Sequence, residues 1–204
     1  AIGDRAFSDD PRLVAELGLA ACAGMLACGV MPVIKHMPGH GRAGVDSHFD
    51  LPRVGAKASE LLRDDFAPFI ATAGMPWGMT AHIVYAALDK TRPGTTSKKV
   101  VGQVIRATIG FAGFLVSDDI TMKALKGTEA QRARAAIAAG CDAALHCSGE
   151  MAEMQKIAAV VPALSKAALA RLKRAQALGP LKADDASTVK RHQTRLEHLL
   201  ARAN

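Results

Sequence analysis

Four short apolar runs, Val30–Ile34, Gly78–Tyr85, Gly113–Ser117 and Asp142–His146, constrain the fold of this chain more than any other feature. None alternates polar with apolar, so none reads as a strand with one wet face. Segments with helical spacing separate them. Ser8-Asp9-Asp10-Pro11 starts the first helix, whose positions Leu13, Leu17, Ala20, Gly24 and Cys28 recur on one face until Gly29. Ala58–Ala73 predicts a second helix, kinked by Pro68; Ser97 caps a third, with Val100, Val101, Val104, Ile105 and Thr108 ending at Gly110; and Glu129–Ala139 predicts a fourth, ending at Gly140. Strands buried on both faces and alternating with helices predict an α/β fold with a parallel sheet. A doubly wound sheet and a TIM-type (β/α)8 barrel both satisfy that pattern.

The chain has 204 residues, half of them hydrophobic, which suffices for a sizeable core. Aromatic residues are only 4%, which argues against stacking surfaces for single-stranded nucleic acid. The net charge of +7 is concentrated at one end: Leu164–Asn204 holds nine Lys/Arg against three Asp/Glu. The excess therefore reads as solvated faces of terminal helices, among them Val189–Ala203, and not as a nucleic-acid footprint. Cys22, Cys28, Cys141 and Cys147 form no C-x-x-C and follow no signal peptide, a pattern of reduced thiols in a cytoplasmic protein. The longest apolar run, about Leu17–Val30, is too short to span a membrane. Neither G-x-G-x-x-G nor a P-loop follows any strand, which disfavours a nucleotide cofactor.

The densest polar cluster, Lys35-His36-Met37-Pro38-Gly39-His40-Gly41-Arg42-Ala43-Gly44-Val45-Asp46-Ser47-His48, follows the first apolar run. Its proline and glycines forbid a regular helix and predict a loop able to move. Asp46 and His48 are spaced to form a carboxylate–imidazole pair, the carboxylate fixing the tautomer and raising the basicity of the other ring nitrogen. Lys35 and His36, at the strand end itself, suit hydrogen bonds to a polar substrate. The second cluster, Ser117-Asp118-Asp119-Ile120-Thr121-Met122, also ends a strand. There Asp118 could serve as nucleophile, metal ligand or cap, and capping fits Asp119 better.

The strings KHMPGHGRAGVDSH and VSDDITM, with IGDRAF at the start and MTAHIVY between them, resemble the bacterial β-N-acetylglucosaminidases of glycoside hydrolase family 3, the NagZ type. The likeness runs in order from Ile2 to about Met154. It implies a TIM-type barrel of which this chain supplies only the C-terminal part, about four to five β/α units. Residues 1–178 would be that partial catalytic domain, and 179–204 a linker and basic helix. The resemblance further implies Asp118 as catalytic nucleophile, His48 as acid/base with Asp46 as its partner, and Arg5, Lys35 and His36 as sugar contacts. His82 and Met122 match positions lining the pocket, and a place in the barrel core suits each equally. The implied activity is retaining exo-hydrolysis of β-1,4-linked N-acetylglucosamine from (anhydro)muramic-acid-containing peptidoglycan fragments, by a cytoplasmic protein, monomeric at full length, without metal or organic cofactor. The partner is then a small carbohydrate, with neither nucleic acid nor membrane.

Three other readings stay open on the residues alone. A phosphorylase would keep the glycosyl-enzyme and use phosphate as acceptor, since a histidine acid/base does not repel an anion. A metal-dependent hydrolase would use His36, His40, Asp46 and His48, although Pro38-Gly39 breaks the helix that their spacing would need. An inactive sugar- or nucleic-acid-binding fragment would use the basic terminal helices.

Overall fold

A computed structural model describes residues 3–45, 50–178 and 185–202. Four parallel strands form its sheet: β1 (Val33–Met37), β3 (Trp77–Thr80), β5 (Phe114–Asp119) and β6 (Ala143–Leu145), hydrogen-bonded in that order. Val33 faces Trp77, Trp77 faces Phe114, and Val116 faces Ala143. A separate parallel pair joins β2 (Arg53–Val54) to β4 (Val84–Tyr85). The α/β class follows from the apolar runs as expected, and among the described residues the sheet is open, with β1 and β6 at its edges.

The first strand begins three residues later than its apolar run suggested. Helix α1 (Pro11–Ala27) is capped by the Asp10 carboxylate on the Arg12 N–H, and its C-terminal carbonyls take the next backbone donors. Cys28 N–H bonds to Gly24 O, Gly29 N–H to Leu26 O, and Val30 N–H to Met25 O at 2.8 Å. Gly29, at φ 72°, makes this closure possible. Val30 is thus committed to ending the helix, and the strand runs on through Lys35 and His36 to Met37.

The expected strand Gly78–Tyr85 is two strands in different sheets. Between them the backbone is captured from the side, since Thr95 N–H and Gly94 N–H bond to the carbonyls of Ala81 and Ile83. A Cβ on Gly94 would lie 3.0 Å from the Ala81 oxygen, so the approach needs glycine.

The helices differ in detail. Ala58–Ala73 breaks into α2 (Ala58–Glu60), a π-helical turn Leu61–Asp65 and α3 (Ala67–Ala71), and Pro68 sits in the first turn of α3, where its missing N–H costs nothing, so it begins a helix where a kink was expected. Val100–Thr108 is π-helical, closed by Ile109 N–H on Val104 O. Helix α4 (Glu129–Ala139) has the expected bounds, with a Thr128/Gln131 capping box and Gly140 at φ 116°. Helices α5 (Met151–Ala158) and α6 (Lys166–Gln176) follow. The last, α7 (Ala186–Ala201), starts earlier than Val189 because Asp185 caps it. No helix among the described residues is long and apolar enough to cross a membrane.

The main core packs Met37, Leu61, Ile83, Tyr85, Val100, Ile105, Phe111 and Leu115, all buried, and Ile120, Leu125 and Ala133 form a smaller cluster beneath α4. Where the strands begin, an ion cluster ties the layers together. Asp142 accepts Arg106 Nη2 at 2.9 Å, Arg171 Nη1 at 2.8 Å and the Leu115 N–H at 2.9 Å. Arg106 Nη1 also caps the carbonyls of Phe111 and Gly113.

Candidate active site

Parallel strands deliver their C-terminal residues to one rim of the sheet, so β1, β3, β5 and β6 bring His36, the His82 loop, Asp118 and His146 to the same side. His36 Nε2 lies 3.6 Å from Asp118 Oδ2, with both side chains almost nine-tenths buried. Burial lowers the His36 pKa to about 4 against the pull of Asp118, and His40, Lys35 and Arg5 lower it further. Arg5 and Lys35 are thus close enough for their charges to act at the same point. A ring kept neutral makes no salt bridge with the carboxylate beside it.

His40 packs its ring on that of His36, centroids 5.2 Å apart, and its Nδ1 is buried without a partner among the described residues. Burial lowers its pKa as well. The loop carrying it was expected to be mobile, but its first half is anchored. Tyr85 Oη–H donates to the Gly39 carbonyl at 2.6 Å, and Arg42 bonds Asp65 and Asp64 at 2.7 Å each. Gly39, at φ 148°, lies so close to Asp65 that a Cβ would meet the Asp65 Cβ at 2.8 Å. The expected acid/base pair, Asp46 and His48, lies outside the described residues.

Asp118 and Asp119 divide their work. Asp118 Oδ1 accepts the Asp119 N–H, which leaves Oδ2 toward His36. Asp119 accepts the Thr121 N–H and hydroxyl and the Cys147 N–H; against the burial that would raise it, these bonds hold its carboxyl below the usual range. It therefore locks the turn after β5; it caps no helix, because the helix that follows is capped by Thr128.

Of the pocket and core roles open to His82 and Met122, the structure places both in the interior. His82 is fully buried with both ring nitrogens engaged, on Thr95 Oγ1 at 2.7 Å and on the Asp119 carbonyl at 3.0 Å. Met122 is buried in the turn, its carbonyl facing Arg132. Sequence reading gave no role to Thr95, Arg132 or Arg42, because nothing local marks a hydroxyl or guanidinium whose partner lies ten or more residues away. Among the described residues no three His, Cys, Asp or Glu side chains converge as for a metal ion, and two of the four residues of the metal reading, Asp46 and His48, are not described.

Residues 1–177 match the glycosyl hydrolase family 3 N terminal domain. A beta-hexosaminidase of Alkalilimnicola ehrlichii is 44% identical over 151 residues, covering 72% of this chain and 43% of that protein. A beta-hexosaminidase of Bordetella pertussis is 37% identical over 182 residues, covering 84% of this chain and 50% of that one. The crystal structure of NagZ from Neisseria gonorrhoeae in complex with N-trifluoroacetyl-D-glucosamine superposes with a TM-score of 0.79 at 34% identity, covering 92% of this chain and 55% of that one. The chain thus spans about half the length of the curated relatives it matches.

Proposed function

This chain belongs to glycosyl hydrolase family 3, and from that membership we propose that it carries the nucleophile of a retaining exo-β-N-acetylglucosaminidase. The observation that carries the reading is Asp118 at the rim of β5, one oxygen held by the Asp119 N–H and the other without a hydrogen bond among the described residues, beside a neutral His36, with Arg5 and Lys35 near. Such a carboxylate is pre-aimed and not consumed by an ion pair.

In this mechanism Asp118 Oδ2 attacks the anomeric carbon while His48, oriented by Asp46, protonates the leaving oxygen. The covalent glycosyl-enzyme forms through an oxocarbenium-like transition state. Water activated by the same histidine then releases the sugar with retained configuration. Arg5, Lys35 and His36 bind sugar hydroxyls, and Met122 packs under the rim. No cofactor enters this scheme.

The open sheet is the C-terminal part of a (β/α)8 barrel within residues 1–178, with 179–204 a linker and basic helix. Support comes from the two free sheet edges and from α1, where Cys22 alone is buried and Leu13, Leu17 and Met25 are exposed. The substrate is a GlcNAc-containing (anhydro)muropeptide, met in the cytoplasm during cell-wall recycling by a protein that is monomeric at full length. Relatives named beta-hexosaminidase support the sugar class.

The test is chromophore release from an aryl β-N-acetylglucosaminide by the chain and by its Asp118→Ala variant, both checked for equal folding by circular dichroism. Activity lost with Asp118 is the expected result, and equal activity in both overturns the reading. Rate dependence on added phosphate, with a sugar 1-phosphate product, would assign the phosphorylase reaction instead.

A further inference from the structure

His82 Nε2 faces the Asp119 carbonyl at 3.0 Å, an atom with no proton to give, so Nε2 carries the hydrogen. Burial lowers the pKa of the ring, which leaves Nδ1 bare and able to accept. Thr95 Oγ1 supplies its proton at 2.7 Å, and the Thr80 hydroxyl, 2.8 Å away, can donate to Thr95 in turn. The Ala81 carbonyl competes for the same Thr95 hydrogen at a longer 3.1 Å. A buried relay of oriented hydrogen bonds thus runs from the end of β3, through the segment at Thr95, to the end of β5.

The relay terminates on the residue that holds the nucleophile. Asp119 donates its N–H to Asp118 Oδ1 at 2.9 Å and gives its carbonyl to His82. Its main chain is gripped on both sides: the N–H lies in the Asp118–Asp119 peptide and the carbonyl in the Asp119–Ile120 peptide, so the two planes meet at the Asp119 Cα, and releasing the carbonyl loosens the pivot on which the N–H that aims Asp118 is set. Arg132 Nη1 secures the next carbonyl, Ile120, at 2.9 Å.

We propose that His82 is a positioning residue for Asp118, acting through the Asp119 backbone without touching the sugar. The proposal rests on the nucleophile assignment made above. Full burial and the occupation of both ring nitrogens set it apart from a pocket-lining role. Its removal leaves the Asp119 carbonyl held only by the Met122 N–H at 3.2 Å and loosens the turn that aims Asp118, and displacements of about 1 Å at a reacting group cost on the order of 100-fold in rate.

The experiment compares the full chain with its His82→Leu, His82→Gln, Thr95→Val and Asp118→Ala variants, by aryl β-N-acetylglucosaminide kinetics and by amide hydrogen exchange over Asp119–Met122. Glutamine places an amide N–H where Nε2–H lies. His82→Leu should lower kcat roughly 10- to 100-fold with KM within about twofold, and speed exchange in the turn. His82→Gln should restore most of both. Thr95→Val, which removes the hydroxyl that fixes the tautomer, should move both in the same direction by less, and it serves if His82→Leu does not fold. Unchanged exchange and kcat in His82→Leu would overturn the proposal, as would a rise in KM at constant kcat, which would mean sugar contact. Activity that survives Asp118→Ala would instead sink the nucleophile assignment, while the exchange data would still decide whether His82 holds the turn.

Discussion

The two ends of the parallel sheet spend their polar groups in opposite ways. Where the strands begin, Asp142 accepts from two guanidiniums and a backbone N–H, and Arg106 Nη1 caps two carbonyls. Where they finish, His36 and Asp118 stand 3.6 Å apart without bonding, and His40 Nδ1 is buried without a partner among the described residues. Both ends bury charge-bearing groups, yet among the described residues it is only at the second, beside the satisfied His82 and Asp119, that some are left without partners. Completed valences stabilise the fold, and incomplete ones wait for a ligand to fill them. The difference separates a structural cluster from a chemical one better than burial or motif alone.

The contrast breaks first at Asp118. Asp118→Ala should lower glycosidase turnover by roughly 1000-fold or more while leaving Tm unchanged or slightly raised, since the fold does not depend on its free oxygen. A turnover assay paired with a melting curve checks both halves, and a large loss of Tm would erase the distinction between the two ends.

Asp142→Ala should behave in reverse. It strands Arg106 and Arg171 beside each other and costs about 3 to 5 kcal/mol in urea unfolding, with kcat per folded molecule little altered.

Acidification sharpens the comparison from the other side. The His36 pKa falls from 6.5 when unfolded to about 4 in the fold, so between those values the unfolded chain binds a proton that the folded one does not. Its contribution to stability is therefore present above about pH 6.5 and lost as pH falls toward 4. His36→Gln should recover on the order of 2 kcal/mol of stability at pH 4.5 relative to its effect at pH 7, measured as Tm in the two buffers. An identical pH dependence in both proteins would show that the ring is not held neutral.

The smallest effect is expected at Arg42, which sits at the rim but has its partners. Arg42→Ala should cost about 1 kcal/mol of stability by chemical denaturation, because the half-exposed guanidinium is offset by an almost fully buried Asp65. A loss as large as that of Asp142→Ala would show that the loop anchor belongs with the structural cluster.

What could be seen in the sequence was whatever is local. Gly113–Ser117 announces a central parallel strand because nothing polar interrupts it, and Thr128 with Gln131 and Gly140 marks both ends of α4. The motif strings alone place Lys35, His36 and Asp118 at strand ends, where the structure has them. Boundaries failed where distant backbone intervened, as at Val30, taken by the helix end, and at Ala81–Ile83, taken by Gly94 and Thr95. The site was hidden wherever partners are far apart in sequence. Arg106 and Asp142 are 36 residues apart, and His82 and Asp119 are 37, so the sequence does not tell that His82, matched to a pocket position, is bonded on both nitrogens.

The central claim is that Asp118 forms a bond to the sugar. Incubation with a slow, activated fluoro derivative of N-acetylglucosamine, followed by digestion and mass spectrometry, measures that directly. The account predicts one glycosyl adduct per chain, located on the peptide bearing Asp118 and absent from Asp118→Ala. An adduct on another residue, or turnover of the reagent with no adduct and inverted product, would contradict it.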